Sequence, residues 1–173
     1  MDSDLNFTID EDGTKVWFAD GKLHRDAGPA KEFMDGSKEW YRNGFLHRED
    51  GPAIQKADGT KIWCKNGLWH RVGAPAFEKA NGSQSWWKDG FPHREDGPAM
   101  ELANGNKKWW LDGVRHRDGG PAVDDADGHQ EWHERGQLHR ADGPAIVRAD
   151  GTKEWWFQGR RTIRLRIPDK LTF

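Results

Sequence analysis

The chain has 173 residues and a formal net charge of −2, so it lacks the basic excess expected of a nucleic-acid-binding domain. It is very polar, with a mean hydropathy of −1.04. Its 11 Trp and 21 Gly nevertheless exclude a disordered chain, which would be poor in aromatics. Cys64 is the only cysteine, which excludes an internal disulfide. No run approaches the roughly 18 apolar residues of a membrane span. The start, Met1-Asp2-Ser3-Asp4, lacks the basic and apolar regions of a signal peptide. A cytoplasmic protein without a membrane partner is the expectation.

Taken in order, residues 1–12 read as an acidic N-terminal cap, in which Phe7-Thr8-Ile9 stands for the end of a missing unit. A register of 23 residues then runs without insertion through residues 13–158. Trp recurs at 17, 40, 63, 86, 109, 132 and 155. His-Arg recurs at 24/25, 47/48, 70/71, 93/94, 116/117 and 139/140, and Pro-Ala at 29/30, 52/53, 75/76, 98/99, 121/122 and 144/145. A fixed period of this size marks a repeat architecture in which each unit touches only its neighbours. Residues 159–173 break the pattern. There Thr162-Ile163-Arg164-Leu165-Arg166-Ile167 alternates as a capping edge strand would, with Arg on its outer face. One cap is acidic and the other basic, which admits head-to-tail contacts and a homo-oligomer.

Each unit carries two turn signals, Asp-Gly or Asn-Gly, separated by short aromatic segments that read as strands. The first signal includes Asp58-Gly59, and the second stands at 20/21, 43/44, 66/67, 89/90 and 112/113. Both dipeptides favour type I′ hairpin turns. The predicted fold is all-β, an elongated antiparallel array of about seven β-hairpin units with terminal caps. Around Asn43-Gly44 the turn pairs Tyr41 with Leu46 and sets Trp40 opposite His47. Around Asp58-Gly59 a type I′ turn would set Ile54 opposite Trp63. The predicted structural ladder is therefore Trp17, Trp40, Trp63, Trp86, Trp109, Trp132 and Trp155 with His24, His47, His70, His93, His116 and His139.

The run Trp-x-x-Asn/Asp-Gly-x-x-His, followed by Gly and a later Asp-Gly, resembles the MORN repeat over roughly residues 13–160. It is most similar to the bacterial variant found in antitoxin-like proteins. The resemblance implies hairpin units stacked into an elongated sheet that serves as a binding scaffold, with a toxin or defence factor as a partner to be neutralised. The chain departs from the usual repeat in placing Arg25, Arg48, Arg71, Arg94, Arg117 and Arg140 where Gly follows His. Its Gly-Pro-Ala is also unusual, and lipid or kinase roles are not implied.

No catalytic residue, metal site or cofactor is expected. Equivalent His residues about 10 Å apart cannot converge on one ion. His129 and His133, four apart on a strand, are expected about 13 Å apart. Each repeated His is expected to pack on its Trp, and each Arg to pair with a carboxylate such as Asp50, Asp96 or Asp142. Arg71, followed by Val72-Gly73, has none nearby in sequence. Cys64 falls in a mostly aromatic column and reads as packing.

Fixed columns build a fold, and variable ones are free to carry specificity. The variable face opposite the Trp ladder holds Trp87, Lys108, Trp110, Arg115, His133, Trp156 and Arg161, types that suit interface hot spots. The sequence therefore points to a non-enzymatic scaffold that recognises a protein partner. An alternative is a nucleotide or nucleic-acid binder that uses the aromatic, Arg and His rows for stacking and charge.

Overall fold

The computed structural model describes residues 6–162, and among these the chain is all-β. Its main element is one open antiparallel sheet whose fifteen-strand path follows chain order, two strands to each unit. The array of short hairpins matches the predicted fold class.

The second unit shows how a repeat is built. Lys38–Glu39 lies in the main sheet between Lys31–Glu32 and Ile54–Gln55. After Trp40 the same strand direction continues as Tyr41–Arg42, which pairs with Phe45–Leu46 in a hairpin of its own. Neighbouring hairpins are joined in turn: the Gly67 N–H donates to Leu46 O at 2.8 Å, and the Arg48 N–H to Cys64 O at 3.3 Å. The hairpins thus form a second row beside the sheet. Trp40 holds the two rows together, because its carbonyl accepts the His47 N–H at 3.0 Å and its N–H donates to Ala53 O at 2.8 Å. Residues 48–52 leave the sheet between these two bonds. This excursion is where Pro, which has no N–H, costs no ladder bond.

The two turns differ in kind. Asn43 and Gly44 have φ of 51° and 87°, the two positive values of a type I′ turn. Arg135 and Gln158 adopt the same left-handed conformation in later units, each with φ 48°, although neither forms an Asn-Gly or Asp-Gly signal. At Asp58-Gly59 only Gly59 has positive φ. The Gly59 N–H donates to Lys56 O at 3.0 Å and the Lys56 N–H to Thr60 O at 2.9 Å. This is a type I turn closed by a bulged Gly, with Asp58 Oδ1 accepting the Thr60 N–H at 2.8 Å.

The predicted type I′ register at this first turn is therefore wrong by one residue. Ile54 pairs with Ile62, not Trp63. A one-residue slip reverses which side chains share a face. The column Ile54, Phe77, Met100, Val123 and Ile146 consequently meets Ile62, Ser85, Lys108, Glu131 and Glu154. It packs on the face predicted to be free. The core is correspondingly thin: Val16, Ile62, Cys64, Val123 and Ile146 are buried, and Ala30, Ala53, Ala76, Ala99, Ala122 and Ala145 are fully so.

Asn6–Ile9 pairs with Lys15–Ala19 as an edge strand at the acidic end. At the other end Arg160–Thr162 pairs with the last residues of Lys153–Phe157. The predicted alternation from Ile163 to Ile167 lies outside the described residues.

Candidate interaction surface

The fixed residues first account for themselves as structure. Each Trp ring from Trp17 to Trp132 is covered by the Arg of its own unit, with guanidinium carbon to ring centroid distances of 3.7–4.2 Å. Such cation–π contacts are worth about 0.5–2 kcal/mol each, depending on exposure. In five of these six units, all but the third, the guanidinium also lies against a glycine. A Cβ at Gly97 would stand 2.9 Å from Arg94 Cζ, and one at Gly51 2.9 Å from Arg48 Cζ. The expected carboxylate pairs form, Arg48 with Asp50 at 2.8 Å and Arg94 with Asp96 and Arg140 with Asp142 at 2.9 Å. The Arg hydrogen bond holds these three carboxyls below the usual range. Arg71 finds its partner farther along, in Glu78 at 2.8 Å.

Arg, rather than His, thus occupies the Trp face. The His residues do other work: each Nδ1 accepts the backbone N–H that opens the next unit's type I′ turn. These bonds run from Asn43 to His24 (3.1 Å), Asn66 to His47 (3.2 Å), Asp89 to His70 (3.2 Å), Asp112 to His93 (3.1 Å), Arg135 to His116 (3.3 Å) and Gln158 to His139 (3.2 Å). The unit-to-unit step is therefore clamped by a side chain, and the repeated His needs no metal or catalytic role to explain it.

Of the seven residues of the predicted binding face, Trp87, Lys108, Trp110, Arg115 and Trp156 are half-buried, His133 is buried and Arg161 is exposed. Trp87 Nε1 donates to Ser85 Oγ at 2.6 Å, and its ring stands edge-on to Trp69 at 4.9 Å. Trp156 Nε1 donates to Glu154 at 3.1 Å, and Arg161 reaches the same carboxylate at 3.5 Å. Lys108 lies in the main sheet between Met100 and Val123. Arg115 and His133 come together on Glu131, and the Arg115 guanidinium also stands 5.4 Å from the Trp110 ring centroid. Arg115 reaches Glu131 Oε2 at 3.0 Å, and His133 reaches it at 2.9 Å. His129 reaches Oε1 at 3.2 Å. His129 and His133 therefore converge on one carboxylate, contrary to the separation expected from a regular strand, because His129 stands at the exit of the bulged turn. Hydrogen bonding from His133, opposed by burial and helped by His129 and Arg115, pulls the Glu131 pKa down to about 2. Among the described residues no group of three or more His, Cys, Asp or Glu is arranged to hold a metal ion. Cys64 is buried, and burial pushes its thiol up to about 11.

The opposite face of the hairpin row is exposed. The residue after each type I′ turn reads Phe45, Leu68, Phe91 and Val114 in four successive units, 59%, 50%, 60% and 42% exposed. These side chains form a regular ridge, each lying against the turn glycine of the next unit. A Cβ at Gly67 would be 3.3 Å from Phe45, one at Gly90 3.3 Å from Leu68, one at Gly113 2.8 Å from Phe91, and one at Gly136 3.5 Å from Val114. Across each hairpin stand Arg42, Lys65, Lys88 and Leu111. The signal was available in the sequence as a run of large apolar residues immediately after Asn-Gly or Asp-Gly. Those residues share the parity of the fixed Trp and His, so they do not stand out as a variable column.

Among the described residues no helix is long and apolar enough to cross a membrane. No protein-family model matches the chain, and no curated protein matches it either.

Proposed function

We propose that this chain is a non-enzymatic binding protein, a β-repeat scaffold that recognises a protein partner. Neutralisation of a toxin or defence factor is the role that its MORN-like pattern suggests. The observation that carries the reading is the ridge of Phe45, Leu68, Phe91 and Val114. Scattered exposed apolar residues are ordinary, but a contiguous row with polar ends is a mark of an interaction site. The Trp, Arg and His rows, by contrast, have structural partners and need no ligand.

The test is capture from the source cell on the immobilised chain, with and without nuclease, at low and high salt. A protein retained after nuclease and at high salt, and lost with Phe91→Ser, is the expected result. Capture that disappears with nuclease or falls steeply with salt would favour the nucleic-acid reading, since phosphate contacts weaken as salt rises.

A further inference from the structure

Resting on that protein-binding reading, we propose that the ridge and its flanking basic column receive an amphipathic α-helix of the partner. The helix carries apolar residues seven apart and acidic side chains beside them.

The spacing argues first. Each unit contributes two strands to the hairpin row, so equivalent side chains recur every ~10 Å at the ordinary inter-strand distance of ~4.8 Å. Seven residues of α-helix rise about 10.5 Å and return to within about 20° of the same face. A helix lying along the ridge therefore meets one ridge side chain per heptad. An extended strand repeats on one face at about 6.7 or 13 Å, and neither value matches. A polyproline helix repeats at about 9.3 Å. It is read by aromatic-walled grooves, however, whereas here each step offers a single protruding side chain.

Width and charge argue next. Arg42 is directly opposite Phe45, Lys65 opposite Leu68 and Lys88 opposite Phe91. Such cross-strand pairs stand about 5 Å apart, so a helix about 10 Å across covers both columns. Arg42, Lys65 and Lys88 are exposed. Among the described residues Arg42 bonds the exposed Glu49 and the buried His47, and neither Lys65 nor Lys88 forms an ion pair. The nearby turn carboxylates Asp89 and Asp112 are engaged by His70 at 2.9 Å and His93 at 2.8 Å, so among the described residues the two lysines are the unpaired charges of this surface and select an acidic flank on its partner. The patch is bounded: Lys22 takes the ridge position at one end, and Gln137 and Arg160 take it at the other. Three intervals of about 10 Å fit a helix of about 20 residues.

The probes are three synthetic peptides of about 20 residues. One has Leu at heptad spacing with Glu beside it. The second has Lys for every Glu, and the third has the composition of the first with the spacing broken. Fluorescence anisotropy should show saturable binding of the Glu peptide, with the Lys and broken-period peptides at least about tenfold weaker. Phe91→Ser should weaken the Glu peptide to a similar degree, and Lys65→Glu with Lys88→Glu should reverse the preference between Glu and Lys peptides. Failure of the Glu peptide to bind, equal binding of all three, or tighter binding of a polyproline peptide would overturn the helix. The two readings separate cleanly. Phe91-dependent capture of a cellular protein without Glu-peptide binding sinks the helix alone, whereas capture undiminished by Phe91→Ser sinks the ridge itself.

Discussion

The glycine beneath Arg25, Arg48, Arg94, Arg117 and Arg140 offers a sharp test of how the repeats hold together. Gly97 lacks a positive φ, so its backbone accepts Ala. Such a replacement ordinarily stabilises by about 0.4–1 kcal/mol through the unfolded chain. Here the new methyl would stand 2.9 Å from Arg94 Cζ and 3.0 Å from its Nε. The guanidinium cannot simply swing away, because it lies 3.9 Å over Trp86 and bonds Asp96, Pro98 O and Glu101. Displacing it forfeits the cation–π contact, about 0.5–2 kcal/mol, and strains the bond to Pro98 O. Gly97→Ala should therefore destabilise by about 1 kcal/mol net. In an Arg94→Ala background the same change should stabilise, giving a coupling of about 1–2 kcal/mol in a double-mutant cycle. Chemical denaturation of the four proteins measures it. An equal cost with and without Arg94 would refute the stack as the reason for Gly. Unit three shows a loop that does accept Ala, since Ala74 stands at this position after Gly73 at φ 69° and Arg71 keeps its place 3.7 Å over Trp63.

Other outcomes follow from the same geometry. Arg135→Asn, which places at φ 48° the residue that units two and three use there, should stabilise by about 0.5–1 kcal/mol, because Asn tolerates the left-handed region; thermal melting checks it, and a lower melting point would count against the turn assignment. Glu131 has its pKa lowered from 4.5 to about 2, so its ionised form contributes stability above pH about 4.5 that is lost as pH falls through about 2. The stability gap between the wild type and Glu131→Gln should narrow as pH falls through that window. Trp109→Ala and Trp110→Ala should both destabilise, with about 3–5 kcal/mol as the ceiling for a buried ring, since both are half-buried and the Trp110 indole nitrogen is shielded from solvent. Intact stability in Trp110→Ala would mean that the inner face is not packed.

Much of the architecture is legible in the period alone. The 23-residue step yields the units, their hairpins and the all-β array. The Asn43-Gly44 turn yields the pairing of Tyr41 with Leu46. What fails is parity. Asp-Gly is compatible with both a type I′ turn and a type I turn with a bulged Gly, and these differ by one residue of register. At Asp58-Gly59 the second form wins, and Asp58 caps the Thr60 N–H instead of entering positive φ. That slip moves the column of Ile54 onto the side where Trp87, Trp110 and His133 stand, and so gives that side apolar neighbours that a type I′ register would have placed elsewhere. Arg over Trp was likewise hidden, because the excursion that folds Arg48 back over Trp40 has no periodicity of its own to read.

The central claim is that the ridge binds and the inner face packs. It is tested most directly by the affinity of Phe45→Ser/Phe91→Ser for the captured partner, measured beside its melting curve. The melting point should be unchanged, because both rings are more exposed than buried. The affinity should fall by roughly 30-fold or more, the scale of a single interface hot spot of about 2 kcal/mol. Wild-type affinity in a correctly folded double variant would contradict it.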